Sequence, residues 1–435
     1  MSKKINVGLI GLGTVGTGVA RVLLGNADVI KAKLGVELAL KMAADKDLKR
    51  DRGIDFANGV LSDDANAVLN DPEVSVIVEL VGGTTIAKDF IIKAIENGKH
   101  VVTANKALLS AHGKEIFELA AKKGVCIGFE ASVGGGIPVI KGLREGLAAN
   151  RIESIYGIIN GTANFILTKM TNEGGAFADV LKEAQKLGYA EADPTYDVEG
   201  IDTAHKLAIL INIAYGTYVT HNDIYTEGIS RITDMDIEYA KELGYRIKLL
   251  AIAKSDGTTI EARVHPTMIP EKHLLSAVDG VLNAVHINGD AVGPVLFYGR
   301  GAGMMATASA VVADIMDMAR SITSGVKCAL PLGYTAEAIK SYPIKKMADI
   351  EMSYYLRFSA KDIPGVLSKI AGVLGSHNIS ILSVIQKGRD EHGGAVPLVI
   401  ITHSAFEREI TASIAQIEKM DIITDKTMVI RIEES

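Results

Sequence analysis

One lysine stands on an apolar helix just after a dense acidic loop. The stretch GYAEADPTYDVEGIDTAHKLAIL, residues 188–210, holds five acidic side chains, Glu191, Asp193, Asp197, Glu199 and Asp202, and one cation, Lys206. Asp202 and Lys206 are four residues apart, so a helix puts them on one face. On a solvated face this is an ordinary ion pair, worth roughly 0.2–0.5 kcal/mol. The helix continues as LAILINIAYG, apolar nearly all round, which predicts burial. A buried charge pair returns little stability for its desolvation cost, so a chemical role gains weight. A buried lysine can shuttle a proton. His205 points about 100° away on the same helix and is set aside. Glu191 and Asp197, in the loop, are candidates to bind a substrate ammonium.

A second candidate lies near the N-terminus. Residues 8–16 read GLIGLGTVG, which places Gly11, Gly13 and Gly16 in the pattern G-x-G-x-x-G. The pattern alone is weak, but here it follows an apolar strand and opens a helix. Gly11 would allow the tight turn, Gly13 the approach of a pyrophosphate, and Gly16 close packing of helix on strand. The helix N-terminus would then offer amides and a favourable dipole to the phosphates. The ribose acid is expected at the end of the second strand, where Asp45 is the candidate. Asp45 favours a 2′-hydroxyl, hence NAD; Lys46, Lys49 and Arg50 could hold a 2′-phosphate, hence NADP. The choice stays open. The strand HVVTAN ends at Lys106, and ligands of open α/β sheets bind beyond the carboxyl ends of strands. This places Lys106 near a nicotinamide; the alternative is a surface lysine.

These groups need elements to hold them. Residues 5–130 alternate apolar strands with helical patterns, which predicts a parallel, doubly wound α/β sheet. Residues 131–304 read as a mixed α/β unit. Its expected helices are VIKGLREGLAA, FADVLKEAQKLG, DTAHKLAILINIAYG and DIEYAKELGYRIKLLAIA, followed by the strands IEARVHPTMI, VLNAVHING and PVLFYG. A long helix over about 305–330 would complete the first domain. Residues 331–350 suggest a linker. Residues 351–435 follow the order βαββαβ of a ferredoxin-like domain.

The chain has 435 residues, enough for two or three cores. Its 48% hydrophobic and 23% charged content is that of a folded globular protein. A net charge of −6 gives no reason to expect nucleic acid or an anionic membrane as partner. Glycines interrupt the apolar run of MSKKINVGLIGLG, so it reads as a buried strand rather than a leader. The uncharged stretch Leu207 to Thr220 is too short and polar to span a bilayer. Cys126 and Cys328 lie far apart and form no metal or redox spacing, which fits a reducing cytoplasm.

Six stretches carry a resemblance: GLGTVG, VVTANKALL, FEASVGGGIPVI, NGTANFIL, LGYAEADPTYDVEGIDTAHKLAIL and YGRGAG. Together they resemble homoserine dehydrogenase along nearly the whole chain, in the form with a C-terminal ACT domain. The resemblance implies interconversion of L-homoserine and L-aspartate 4-semialdehyde with NADP or NAD. It implies Lys206 as proton donor and acceptor with Asp202 beside it, Lys106 as a second lysine at nicotinamide and substrate, and Glu191 as amino-group ligand. The implied cofactor contacts are Gly11, Gly13, Thr14, Val15, Gly16, Asp45, Thr103, Lys106, Gly188 and Gly303. Glu130, Val133, Gly135 and Ile137 match positions that bind a monovalent cation, usually sodium; from sequence alone that segment reads as an interdomain turn. The tail KDIPGVLSKIAGVLGSHNISI resembles an ACT domain, with threonine as the implied effector and Asp362, Gly365 and Asn378 as contacts. A homodimer or homotetramer is expected. The competing class is a nucleotide-binding sensor without turnover.

Overall fold

The computed structural model describes residues 4–326, 328–388 and 394–434. The chain begins with β1 (Lys4–Ile10), α1 (Thr14–Gly25), α2 (Ala27–Leu34), β2 (Glu37–Ala44), β3 (Leu61–Ser62), α3 (Ala65–Asn70) and β4 (Val74–Glu79). Next come α4 (Ile86–Glu96), β5 (His100–Thr103), α5 (Lys106–Lys123), β6 (Ile127–Gly128), α6 (Val139–Lys141) and β7 (Ile152–Ile158). The middle holds α7 (Gly161–Glu173), α8 (Phe177–Lys186), α9 (Thr195–Val198), α10 (Ile201–Tyr215), β8 (Tyr225–Thr226), α11 (Asp234–Glu242), β9 (Tyr245–Ser255) and β10 (Ile260–Pro270). Then follow β11 (Leu282–Gly289), β12 (Gly293–Arg300) and α12 (Met304–Ser324). The last part is β13 (Glu351–Lys361), α13 (Val366–Ser376), β14 (Ile381–Gln386), β15 (Ala395–Thr402), β16 (Ala405–Phe406), α14 (Glu407–Ile417) and β17 (Met428–Ile432).

Contacts divide the chain into two compact units. The first comprises Met1–Ile159, Ala204–Asp223 and Leu282–Tyr342. Its main sheet has the order β3-β2-β1-β4-β5-β6, and every pairing is parallel. That is the doubly wound order with its switch point between β1 and β4. The strands read as continuous apolar runs because helices cover both faces. The buried face of α12, with Ala308, Val311, Ile315 and Met318, joins Val7, Leu9, Val19 and Val78 in one core. A second, antiparallel set in this unit is β7-β11-β12. No described helix is long and apolar enough to cross a membrane.

The second unit comprises Asn160–Thr203, Ile224–Val281 and Pro343–Ser435. In its last part the strands lie in the order β17-β13-β15-β14, all antiparallel, with α13 and α14 packed over the apolar face. This is the expected βαββαβ arrangement. The last strand also pairs in parallel with β10, through Thr267 and Met268. Ion pairs of two buried arginines hold β17 and the residue after it: Arg431 with Glu407 and Glu227, and Arg263 with Glu433.

Three expectations are corrected. DIEYAKELGYRIKLLAIA is not one helix. The helix α11, closed at its start by a Thr233–Asp236 capping box, stops at Glu242, and Gly244 turns at φ +79. The rest is β9, paired along its full length with β10. Its apolar residues are buried by a sheet, so tertiary pairing overrides helical propensity. VIKGLREGLAA is helical as expected over Val139–Gly146, but not as one regular α-helix: α6 is three residues long and passes into a π-helix at Gly142–Gly146. Gly142 and Gly146 bound that π segment and weaken regular α-helix there. The two cysteines are not unrelated thiols. Cys126 and Cys328 form a disulfide across 202 residues, with Cα atoms 5.3 Å apart. Distance along the chain had hidden their proximity.

Candidate active site

The turn after β1 gives its three glycines different surroundings. Gly11 has φ +95, and a Cβ there would meet the Leu80 carbonyl at 2.7 Å. A Cβ on Gly16 would lie 2.0 Å from the Gly11 carbonyl oxygen, so helix and turn pack without a side chain between them. A Cβ on Gly13 would meet nothing within 4 Å, which leaves room for a phosphate. Thr14 and Val15 begin α1, whose N-cap Gly13 offers no side chain to its first amides. Gly303 caps α12 at φ +118, and Gly188, after α8, has φ +76.

Asp45 stands just past the end of β2, as its assignment requires. Its carboxylate is tied into the loop: Oδ2 accepts from Leu12 N at 2.6 Å and Oδ1 from Asp47 N at 2.9 Å. Arg52, which no motif singles out, lies 3.3 Å from Oδ1 and donates to the Leu12 carbonyl at 3.2 Å. The acid and the buried arginine thus brace the glycine turn.

At the carboxyl end of β5, the Thr103 hydroxyl donates to the buried Glu79 carboxylate at 2.7 Å. Glu79 also accepts from Val81 N and Gly82 N, which shapes the loop after β4. Asn105 caps α5 through Leu108 N, and Lys106 is the first residue of that helix. Lys106 therefore sits just beyond the carboxyl end of β5, the side of the sheet where such folds bind ligands.

Helix α10 is apolar and buried along most of its length, as expected. Lys206 is 9% exposed and donates from Nζ to the Ile159 carbonyl at 2.7 Å. Its neighbour His205 is turned elsewhere and stacks on His221, ring centroids 3.9 Å apart. Asp202 is 2% exposed. Within the second unit, Asn160 donates from its amide nitrogen to Asp202 Oδ2 at 2.9 Å and to Asp197 Oδ1 at 2.7 Å. The structure therefore brings Asp197 and Asp202 to one amide. The Tyr196 hydroxyl is pushed to high pKa by burial, and the charges of Asp202 and Asp197 add to the shift. Glu191 is exposed on the loop, its backbone carbonyl accepting from Gln185. Asp193 accepts from Thr195 N at 3.1 Å, an Asx turn. Asn160 and Tyr196 were missed from sequence. The signal available was their place in NGT and PTYD, beside motifs already singled out.

The segment after β6 is a tight turn, with φ +70 at Gly134 and +53 at Gly135. A Cβ on Gly135 would lie 2.4 Å from the Gly301 carbonyl oxygen. The Glu130 carboxylate is buried and accepts from Ile140 N at 2.8 Å and Lys141 N at 2.9 Å. Burial, with the charge of Asp314, pushes its pKa up to about 7. The Ile137 carbonyl accepts from Val139 N. The Glu130 side chain thus serves a helix start first, and any cation here would lean on backbone carbonyls.

Residues 11–130 match the family profile of the homoserine dehydrogenase NAD-binding domain, and 138–316 that of homoserine dehydrogenase. The chain is 52% identical over 432 residues to a homoserine dehydrogenase of Neisseria gonorrhoeae, covering 99% of each. The chain belongs to the homoserine dehydrogenase family. It is 50% identical to a homoserine dehydrogenase of Pseudomonas aeruginosa over 435 residues, again covering 99% of each. A solved homoserine dehydrogenase from Thiobacillus denitrificans is similar at TM-score 0.93 and 49% identity, with 99% of each chain covered. A hyperthermophilic archaeal homoserine dehydrogenase, solved in complex with NADPH, covers 73% of this chain and 98% of its own at TM-score 0.62 and 27% identity. As a homoserine dehydrogenase the chain is an oxidoreductase with a nicotinamide-binding domain, and the sensor alternative is not favoured.

Residues 354–421 match the ACT domain profile, so this homoserine dehydrogenase carries an ACT domain. Asp362 and Gly365 line a cavity of about 350 Å³ with Lys361, Pro364, Gln386 and Leu398. Asn378 is not brought there. It follows the far end of α13, and its φ of +57 serves the turn that ends the helix. Asparagine tolerates that conformation better than most residues.

Proposed function

We propose that this homoserine dehydrogenase interconverts L-homoserine and L-aspartate 4-semialdehyde with Lys206 as the proton carrier. The observation that carries the reading is the buried Lys206 amine, oriented by the Ile159 carbonyl on a helix that also bears Asp202. A bound NADP or NAD supplies or accepts the hydride at substrate C4. In oxidation the hydroxyl proton passes to Lys206; in reduction the same group returns it to the carbonyl oxygen. Asp202 stands beside the relay, Glu191 and Asp197 receive the substrate ammonium, and Lys106 stands at nicotinamide and substrate. Positioning contributes the rest of the rate.

The cofactor contacts in this reading are the glycine turn with Thr14 and Val15, Asp45, Thr103, Lys106, Gly188 and Gly303. Residues 1–130, completed by about 305–330, hold the dinucleotide, and 131–304 serve catalysis and dimerisation. Residues 331–350 link these to the ACT domain of 351–435, where threonine acts as feedback effector at Asp362 and Gly365. The Glu130–Ile137 turn is where a sodium ion is proposed: positive φ at Gly134 and Gly135 curls its backbone, and hard cations take oxygen ligands. Such an ion would order the turn electrostatically. The assembly is a homodimer or homotetramer, and the compartment is the cytoplasm, on the strength of the biosynthetic role and not of the cysteines, whose disulfide is uncommon there.

The test is nicotinamide absorbance with homoserine and each cofactor in turn, with and without threonine. Absence of reduction with both cofactors would return the sensor reading. Glu191→Ala is expected to raise KM for homoserine with little change in the cofactor KM; an unchanged homoserine KM would remove Glu191 from the substrate site.

A further inference from the structure

Asn160 is the residue ahead of α7 and is 5% exposed. Its side chain does two separate jobs. The carbonyl oxygen accepts from Ala163 N at 2.8 Å and caps the helix. The amide nitrogen donates to Asp197 at 2.7 Å and to Asp202 at 2.9 Å. An amide nitrogen has two hydrogens, so each carboxylate receives one. Ionised carboxylates only accept, and two of them close together repel. A neutral double donor between them lets both keep their place and fixes the direction of one oxygen on each. Capping needs only the oxygen; serine or aspartate would cap about as well. The nitrogen end is therefore surplus to the helix.

We infer that Asn160 is a positioning residue for the dehydrogenase reaction, orienting the carboxylates of Asp197 and Asp202 through its one amide group. The inference rests on the proposed roles of those two acids.

Two substitutions separate this role from capping. Asn160→Ser keeps a capping oxygen and loses the double donor. Asn160→Asp keeps the capping oxygen and sets a third carboxylate against the other two. Both are compared with the wild type for melting temperature, kcat, and KM for homoserine and for the cofactor. Asn160→Ser is then repeated in an Asp202→Ala background.

The expected result is a fall in kcat/KM for homoserine of about 10- to 100-fold in the serine variant, with the cofactor KM within about twofold. The aspartate variant should fall further. In the Asp202→Ala background the serine substitution should cost less, because one acceptor is gone. Equal activity of the two variants, or full additivity with Asp202→Ala, would overturn the inference and leave Asn160 as a helix cap. Should the serine variant prove too unstable to assay, wild-type kinetics in Asn160→Asp would overturn it as well. Asp202→Ala alone reports on the underlying reading: unchanged turnover there would fault the role of Asp202, not the orienting role of Asn160.

Discussion

The Nζ of Lys206 donates to the carbonyl oxygen of Ile159 at 2.7 Å, in a setting where the lysine is almost fully buried. A backbone carbonyl is a fixed acceptor, so it sets where the amine points without neutralising it. Lys206→Ala is expected to lower kcat by about 10²- to 10⁴-fold, the usual contribution of a positioned proton-transfer group. Cofactor affinity, read by fluorescence titration, should stay within about twofold. Wild-type-like turnover would remove Lys206 from the chemistry.

The glycine turn supports a sharper comparison. Gly16→Ala forces a Cβ to 2.0 Å from the Gly11 carbonyl, so the apoprotein should lose ~2 kcal/mol or more. Gly13→Ala meets nothing within 4 Å, so apoprotein stability should change by no more than ~0.5 kcal/mol while the cofactor KM rises. Thermal melts of both variants, with and without cofactor, check this. A stable Gly13→Ala enzyme with an unchanged cofactor KM would show that no phosphate approaches there.

The Cys126–Cys328 bond joins two segments of the first unit and closes a loop of 202 residues. Its reduction should cost roughly 2–4 kcal/mol. Dithiothreitol is expected to lower the melting temperature of the wild type and leave that of a Cys126→Ser/Cys328→Ser double variant unchanged. Equal sensitivity of both proteins would count against the bond.

His265 is fully buried on β10, its Nδ1 within 3.0 Å of the Thr267 hydroxyl and the Pro266 carbonyl. Burial pushes its pKa well below 6.5, and the positive charges of Arg431 and Arg263 add to the shift. A base with a depressed folded pKa leaves stability intact above the unfolded value of 6.5. As pH falls below 6.5 the unfolded chain takes up the proton first, and stability declines by up to ~1.4 kcal/mol per pH unit. Denaturant midpoints between pH 6.5 and 5 should therefore fall less steeply in His265→Gln than in the wild type. Parallel slopes would refute the assignment.

Much of the architecture was legible along the chain. The parallel sheet, the glycine turn and the βαββαβ tail follow from the alternation of apolar runs with turn residues. The shared helix face of Asp202 and Lys206 follows from a period of 3.6. YRIKLLAIA failed because an apolar run bounded by glycine is ambiguous until it finds a partner strand, here β10. The Glu130 carboxylate could be located in sequence but not its use, since its two N–H donors lie ten and eleven residues on.

The sequence by itself determined whatever depends on neighbours in the chain: most of the elements, the conformation of the glycine turn, and which side chains a helix presents together. Tertiary structure alone decided that Asn160 meets Asp197 and Asp202, 37 and 42 residues away, that Arg52 braces Leu12, and that Cys126 bonds Cys328. Such contacts come from packing separate segments on common cores. No periodicity encodes them, because the intervening chain can be of any length once both ends are fixed by the fold.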